Sequence, residues 1–288
     1  MKSAIVAKAK KFSLLRKDKA MAIKILIDSA SDLIKKEADQ LGVYFMPMEI
    51  RFGNEEYLDG VDLFPEQFYE KLVESDALPQ TSQINPFRWE EEFNRLTADG
   101  SQLIVITISS KLSGTYASAC TAAEKFQGKV FVLDSMSATI GERLILNYAL
   151  DLVKKDLSAQ EIMEKLEQKK KRLRIMAMLG TLEYLRKGGR ISATAAFAGT
   201  LLSIKPVVAV IDGEVKLIGK AMGSKKGNNL LNSFVKNDPP LFLNKIQSCL
   251  VNSTSMKTII LIFKMLFAPL VARSSLLLPS LIIPMKTQ

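Results

Sequence analysis

The chain has 288 residues, 48% of them hydrophobic, and no histidine. It is long enough for two compact domains or one large one, and it lacks the Ser-His-Asp triad, the Cys-His dyad, the common zinc sets and phosphohistidine chemistry together. The net charge of +10 sits at the ends: residues 1–20 carry +6 and residues 239–288 carry +5, which leaves −1 for residues 21–238 and no basic excess to grip nucleic acid. Cys120 and Cys249 are too far apart in sequence to argue a disulfide framework or a metal site, and a reducing, cytoplasmic setting fits them.

Residues 1–20 lack the apolar core of a secretory signal, so they are read as a basic, disordered extension or a misplaced start, with a mitochondrial-type presequence as the alternative. From Ile23 onward, short apolar runs alternate with helical patterns, the signature of a parallel sheet wound with helices. Ile23–Ile27 is the first strand; Ser31 is placed to cap a helix that Gly42 stops. Val43–Phe52 reads as the second strand, with Gly53 and Asn54 as turn residues. Pro65 and Pro86 each open a helix. Leu103–Ile108 is a continuous apolar run, as expected of a strand buried on both faces. A helix from Thr115, a strand over Val130–Leu133 and a long helix from about Ala138 complete a first α/β domain over residues 21–155.

Ser158 and Glu161 form a capping box that opens the next helix. Leu173–Leu179 reads as a strand, Leu182–Arg186 as a short helix, and Gly188–Gly189 as a break. Pro206–Ile211 and Val215–Ile218, joined by Asp212 and Gly213, carry a hairpin signal. A smaller mixed α/β domain is therefore expected over residues 156–236. Residues 237–288 are compositionally foreign: no acid follows Asp238 and no glycine follows Gly227. Thr258–Met285 is apolar but interrupted by Lys264, Pro269, Arg273 and Pro279, a poor membrane span. A reading-frame change near codon 236 is one explanation for this tail, and contact with a membrane surface through it is a separate reading.

Three polar loops follow apolar strands: Asp28-Ser29-Ala30-Ser31-Asp32, Ser109 to Thr115, and Asp134-Ser135-Met136-Ser137-Ala138. In a parallel sheet such loops gather at the carboxyl edge, where free helix N–H groups and hydroxyls suit an anion. Gln80-Thr81-Ser82-Gln83 precedes a further helix and adds to that edge. Taken singly, each loop is better explained by Ser and Asp as helix caps, and it is the gathering of several that favours a binding edge. No GxxxxGK(S/T), no GxGxxG after a strand and no GxSxG elbow occurs, which disfavours a phosphotransferase acting on a small anionic substrate at the serine loops, the enzymatic alternative.

The ordered segments IDSASD, LDGVDLFPEQFYEKL, PQTSQINP, ISSKLSGTYASA, VLDSMSAT, GTLEYLRKGGRIS and LLSIKPVVAVIDGEV, spanning about Ile23 to Leu230, resemble the DegV family of fatty-acid-binding proteins. The resemblance implies two α/β domains with a long-chain fatty acid between them, its tail in the first. It implies that Thr81 and Ser113, with Gly114, hold the carboxylate, and that Arg190 lies near the head group where a partner fatty acid kinase transfers phosphoryl. Asp28, Ser29, Ser82 and Ser135 are candidate supporting positions. Neither a cofactor nor a metal is implied, and the chain is expected to catalyse nothing itself. On the residues alone, Ser113 is equally a turn residue and Arg190 a solvated helix charge. The family's glycine-rich segment carrying a histidine near the head group is missing from this chain.

Overall fold

The computed structural model describes residues 22–75, 78–192 and 204–237. The expected basic extension, the apolar tail and Cys249 lie outside these residues. In chain order the elements are β1 (Ile23–Asp28), a 3-10 turn (Ser29–Ser31), α1 (Lys35–Leu41), β2 (Tyr44–Met46), β3 (Glu49–Phe52), β4 (Glu55–Leu58), α2 (Pro65–Glu74), β5 (Gln80–Ser82), α3 (Pro86–Thr97) and β6 (Gln102–Thr107). They continue with α4 (Thr115–Ala123), β7 (Val130–Asp134), α5 (Ile140–Val153), α6 (Ala159–Lys170), β8 (Ile175–Met178), α7 (Glu183–Lys187), β9 (Ile204–Ile211), β10 (Glu214–Met222) and α8 (Gly223–Asn237).

The four parallel strands run in the order β2-β1-β6-β7. Alternation along β1 and β6 sends Leu26, Leu103 and Val105 to one face and Ile25, Ile27, Ile104 and Ile106 to the other. The first face meets Trp89, Phe93 and Leu96 of α3 and Ala119 and Ala122 of α4. The second meets Ile145, Leu146 and Ala149 of α5. Both faces are covered, so the strands carry no polar face, and the apolar runs in the sequence have that cause.

Helix α6 adds Ala159, Ile162 and Leu166 to the same second face. The expected division after residue 155 therefore falls between two helices that share one core. The Ser158 capping box is present, with Ser158 Oγ 2.7 Å from the Glu161 carboxylate. Such a box marks where a helix begins and carries no information about which sheet the helix serves.

The run Val43–Phe52 is two strands. β2 pairs with β1, then Pro47, which has no N–H to give a ladder, lets the chain leave the sheet. Met48 N donates to Ser29 Oγ at 3.1 Å as it departs. β3 enters a separate antiparallel sheet of order β4-β3-β5, backed by Phe68 and Leu72 of α2. Its register sets Thr81 opposite Ile50.

Ser31 does not cap a helix as expected. Asp28 takes the Ala30 N–H and closes a 3-10 turn, Ser31 Oγ donates back to the Asp28 carbonyl, and α1 begins only at Lys35. Gly42 ends α1 in the left-handed region, φ 69°. In the second half β10-β9-β8 form an antiparallel sheet packed by α8. The β9–β10 turn has positive φ at both Asp212 (53°) and Gly213 (81°), as a tight hairpin requires. Among the described residues no helix is long and apolar enough to cross a membrane.

Candidate functional site

The loops at the carboxyl edge of the parallel sheet are tied to one another before any ligand is considered. Asp28 is fully buried; its Oδ2 accepts the Ile108 N–H and its Oδ1 the Ala30 N–H, each at 2.9 Å. Ser109 N donates to the Ser137 carbonyl at 2.7 Å, and Thr139 N to the Ala30 carbonyl at 2.6 Å. Ser135 Oγ lies 3.1 Å from the Ser137 carbonyl and also accepts the Ser137 N–H. Asp28, Ser29 and Ser135 are thus buried and spent on main-chain partners, which is the helix-cap and turn role weighed against ligand binding in the sequence.

Burial pushes the Asp28 carboxyl up to about 7, against the two N–H bonds that pull it down. Glu142, on the first turn of α5, is held well above the ordinary carboxylate range by burial and by the charges of Asp28 and Asp32. Glu142 also faces Asp28 directly, and that side-chain pairing lowers the Asp28 carboxyl while raising that of Glu142. Nothing in the sequence pattern marked Glu142, since one acid in an amphipathic helix looks like a surface residue.

The remaining candidates stand at a different place, where three distant segments meet. Thr81 is half-buried on β5 and Ser82 exposed beside it. One residue on, the Gln83 side chain lies over Gly114, so closely that a Cβ built there would collide with Gln83 Oε1. Ser118 Oγ donates to the Ile84 carbonyl at 2.5 Å, fastening the β5–α3 connection to α4. Ser113, half-buried in the β6–α4 loop, has its Oγ 2.9 Å from Thr115 Oγ1. Arg190 approaches from the second half: its Nε donates to the Leu112 carbonyl at 3.1 Å and its Nη1 to the Gly188 carbonyl. Ser109 Oγ donates to the Gly213 carbonyl at 2.8 Å, so the hairpin tip reaches the same loop. Gln83, Ser109 and Thr115 lie within the polar segments of the sequence, where nothing sets them apart from ordinary cap and turn residues.

Beneath this mouth Met46, Met48, Ile84, Trp89 and Leu112 belong to one buried apolar cluster. An open cavity of about 570 Å³ lies elsewhere, between β7 and α6, lined by Phe131, Val132, Met163, Glu164 and Glu167 among others. The acyl-tail pocket expected in residues 21–155 does not coincide with it. Among the described residues no group of three or more acidic or cysteine side chains could hold a metal ion.

A doubly covered parallel sheet whose polar edge is met by the antiparallel second half, through an arginine and a hairpin tip, defines a mixed α/β protein. The chain belongs to the DegV family: residues 22–246 match the family described as an uncharacterised protein, DegV family. It is 38% identical over 215 residues to a DegV domain-containing protein of Clostridium perfringens, covering 72% of this chain and 74% of that one. Among solved structures, a DegV family protein from Thermus thermophilus, described by its fatty acid binding, superposes with a TM-score of 0.68 at 33% identity, over 75% of this chain and 78% of that one. A stearic acid-binding protein from Eubacterium ventriosum does so with a TM-score of 0.68 at 29% identity, over 74% and 75% of the two chains.

Proposed function

We propose that this protein binds a long-chain fatty acid in the cytoplasm, holds its carboxylate at Thr81, Ser113 and Gly114, and presents it beside Arg190 to a partner fatty acid kinase that forms the acyl phosphate. The chain itself catalyses nothing in this reading. The observation that carries it is the meeting of three segments far apart in sequence: Gln83 against Gly114, and Arg190 on the carbonyl that precedes Ser113. Fatty acids bound by structural relatives support it.

Thr81 and Ser113 offer hydroxyl donors, and an ionised carboxylate only accepts. The tail dominates affinity: about 0.8 kcal/mol per buried CH2 gives roughly 12 kcal/mol for about fifteen, before the costs of association. Hydrogen bonds to the charged head contribute roughly 1.5–3 kcal/mol each. The mouth therefore supplies register, and the apolar cluster supplies grip. Met46 and Met48 belong to that cluster, and methionine, unbranched with three rotatable bonds, repacks readily around an entering chain.

Organic extraction of the purified protein followed by mass spectrometry tests the reading directly. A stoichiometric saturated or monounsaturated fatty acid is expected; its absence, together with no uptake of added oleate or palmitate, overturns the proposal. Adding an ATP-dependent fatty acid kinase should then convert the bound ligand to acyl phosphate, whereas ATP turnover by the chain alone would return the enzymatic alternative to the lead.

A further inference from the structure

The Ser113 hydroxyl does not stand alone. Thr115, the first residue of α4, is 0% exposed. Its Oγ1 lies 2.9 Å from Ser113 Oγ, and its backbone N–H donates to the same Ser113 oxygen at 3.2 Å. Thr115 Oγ1 also receives the Ile84 N–H at 3.4 Å, from the segment that carries Thr81.

A hydroxyl has one proton and two lone pairs. Thr115 Oγ1 is sealed from water and already accepts from Ile84, and among the described residues its own proton has one acceptor in reach, Ser113 Oγ. If the proton went the other way, from Ser113 to Thr115, the buried Thr115 proton would be left without an acceptor, and an unmade hydrogen bond at a buried donor is costly. The orientation with Thr115 donating leaves no such deficit. Ser113 Oγ then takes two hydrogen bonds from Thr115, O–H and N–H, and its own proton is left to point into the half-buried mouth.

We propose that Thr115 is a positioning residue that turns the Ser113 proton toward the ligand and so favours a carboxylate, whose charge strengthens the hydrogen bond it accepts, over a neutral head group. The inference rests on the fatty-acid reading above and deepens it. Two donors polarise the Ser113 O–H and strengthen the bond it gives to an anion.

The test compares oleate with oleyl alcohol, which share a tail length and differ at the head, on the full chain. Thr115→Val keeps the shape and removes the hydroxyl. It should weaken oleate about tenfold, the equivalent of roughly 1.4 kcal/mol, while oleyl alcohol changes less than about twofold by the same measure. Thr115→Ser restores oleate binding. In a Ser113→Ala background Thr115→Val should add nothing, since there is no proton left to aim. With oleate labelled at its carboxyl carbon with 13C, the NMR titration midpoint of the bound acid should lie below that of free oleate in the native protein and rise in Thr115→Val. Equal losses for both ligands, no loss for oleate, or full additivity with Ser113→Ala overturns the proposal. If the native protein takes up oleyl alcohol and oleate equally, selectivity is absent and the inference falls while lipid binding stands; if it takes up neither, the fatty-acid reading falls first.

Discussion

Asp28 is an acid placed where water cannot reach it, and its consequence is a stability that declines with pH. Its ordinary value is 3.8 and its folded value about 7. Between those limits the folded protein keeps the proton and the unfolded chain gives it up. Stability is therefore full below about pH 4 and falls as pH rises to about 7, by on the order of 4 kcal/mol for Asp28 alone. Glu142, raised further by the same burial and by Asp28 and Asp32, extends the decline above neutrality. Glu142→Gln keeps the shape and removes the charge, so it should match the native protein near pH 4 and exceed it at pH 8, by about 1–3 kcal/mol. Urea midpoints measured across that range decide the matter; no gain of Glu142→Gln over the native protein at pH 8 would show that the buried pair carries its charge without cost. Neither the pair nor its direction was legible in the sequence, where Asp28 stood as one polar residue in a serine-rich loop.

At the scale of elements, what the sequence displayed depended on what each strand buries. β1, β6 and β7 are sheltered and announce themselves as apolar runs. β4 and β5 were missed because Glu55, Glu56, Gln80 and Ser82 are exposed and show no alternation to read. The β9–β10 hairpin was legible from Asp212-Gly213 alone, since few other pairs tolerate positive φ twice. That turn is also where one methyl group does measurable harm. A Cβ at Gly213 would sit 2.5 Å from Ser109 Oγ, on a backbone with φ 81°. Gly213→Ala should cost about 1–3 kcal/mol and lower the thermal midpoint, read by a thermal melt of the two proteins side by side. Gly114→Ala contrasts with it. Its backbone is helical, φ −71°, and only the end of the Gln83 side chain stands in the way. Its stability should change by less than about 1 kcal/mol, while oleate affinity falls as Gln83 is displaced.

For the whole molecule, charge and connectivity follow different maps. Family motifs pointed to Thr81, Ser113 and Arg190, and the structure ties the segments that carry them together through the contacts of Gln83 with Gly114 and of Arg190 with Leu112. The positive charge lies outside the −1 body of residues 21–238. Full-length protein should sediment with anionic vesicles at low salt and release as the screening length shrinks to about 10 Å near 0.1 M. A chain cut to residues 21–238 should not sediment at either salt concentration, and equal sedimentation of the two would remove the ends from any role at membranes. The bond from Ser109 to Gly213 joins positions 104 apart in sequence, and that from Arg190 to Leu112 joins positions 78 apart. During translation, then, the parallel sheet can assemble on the ribosome well before its rim is finished. A nascent chain completes this rim only after the hairpin has emerged, so the last contacts of the first sheet's polar edge wait on residues made about a hundred positions later.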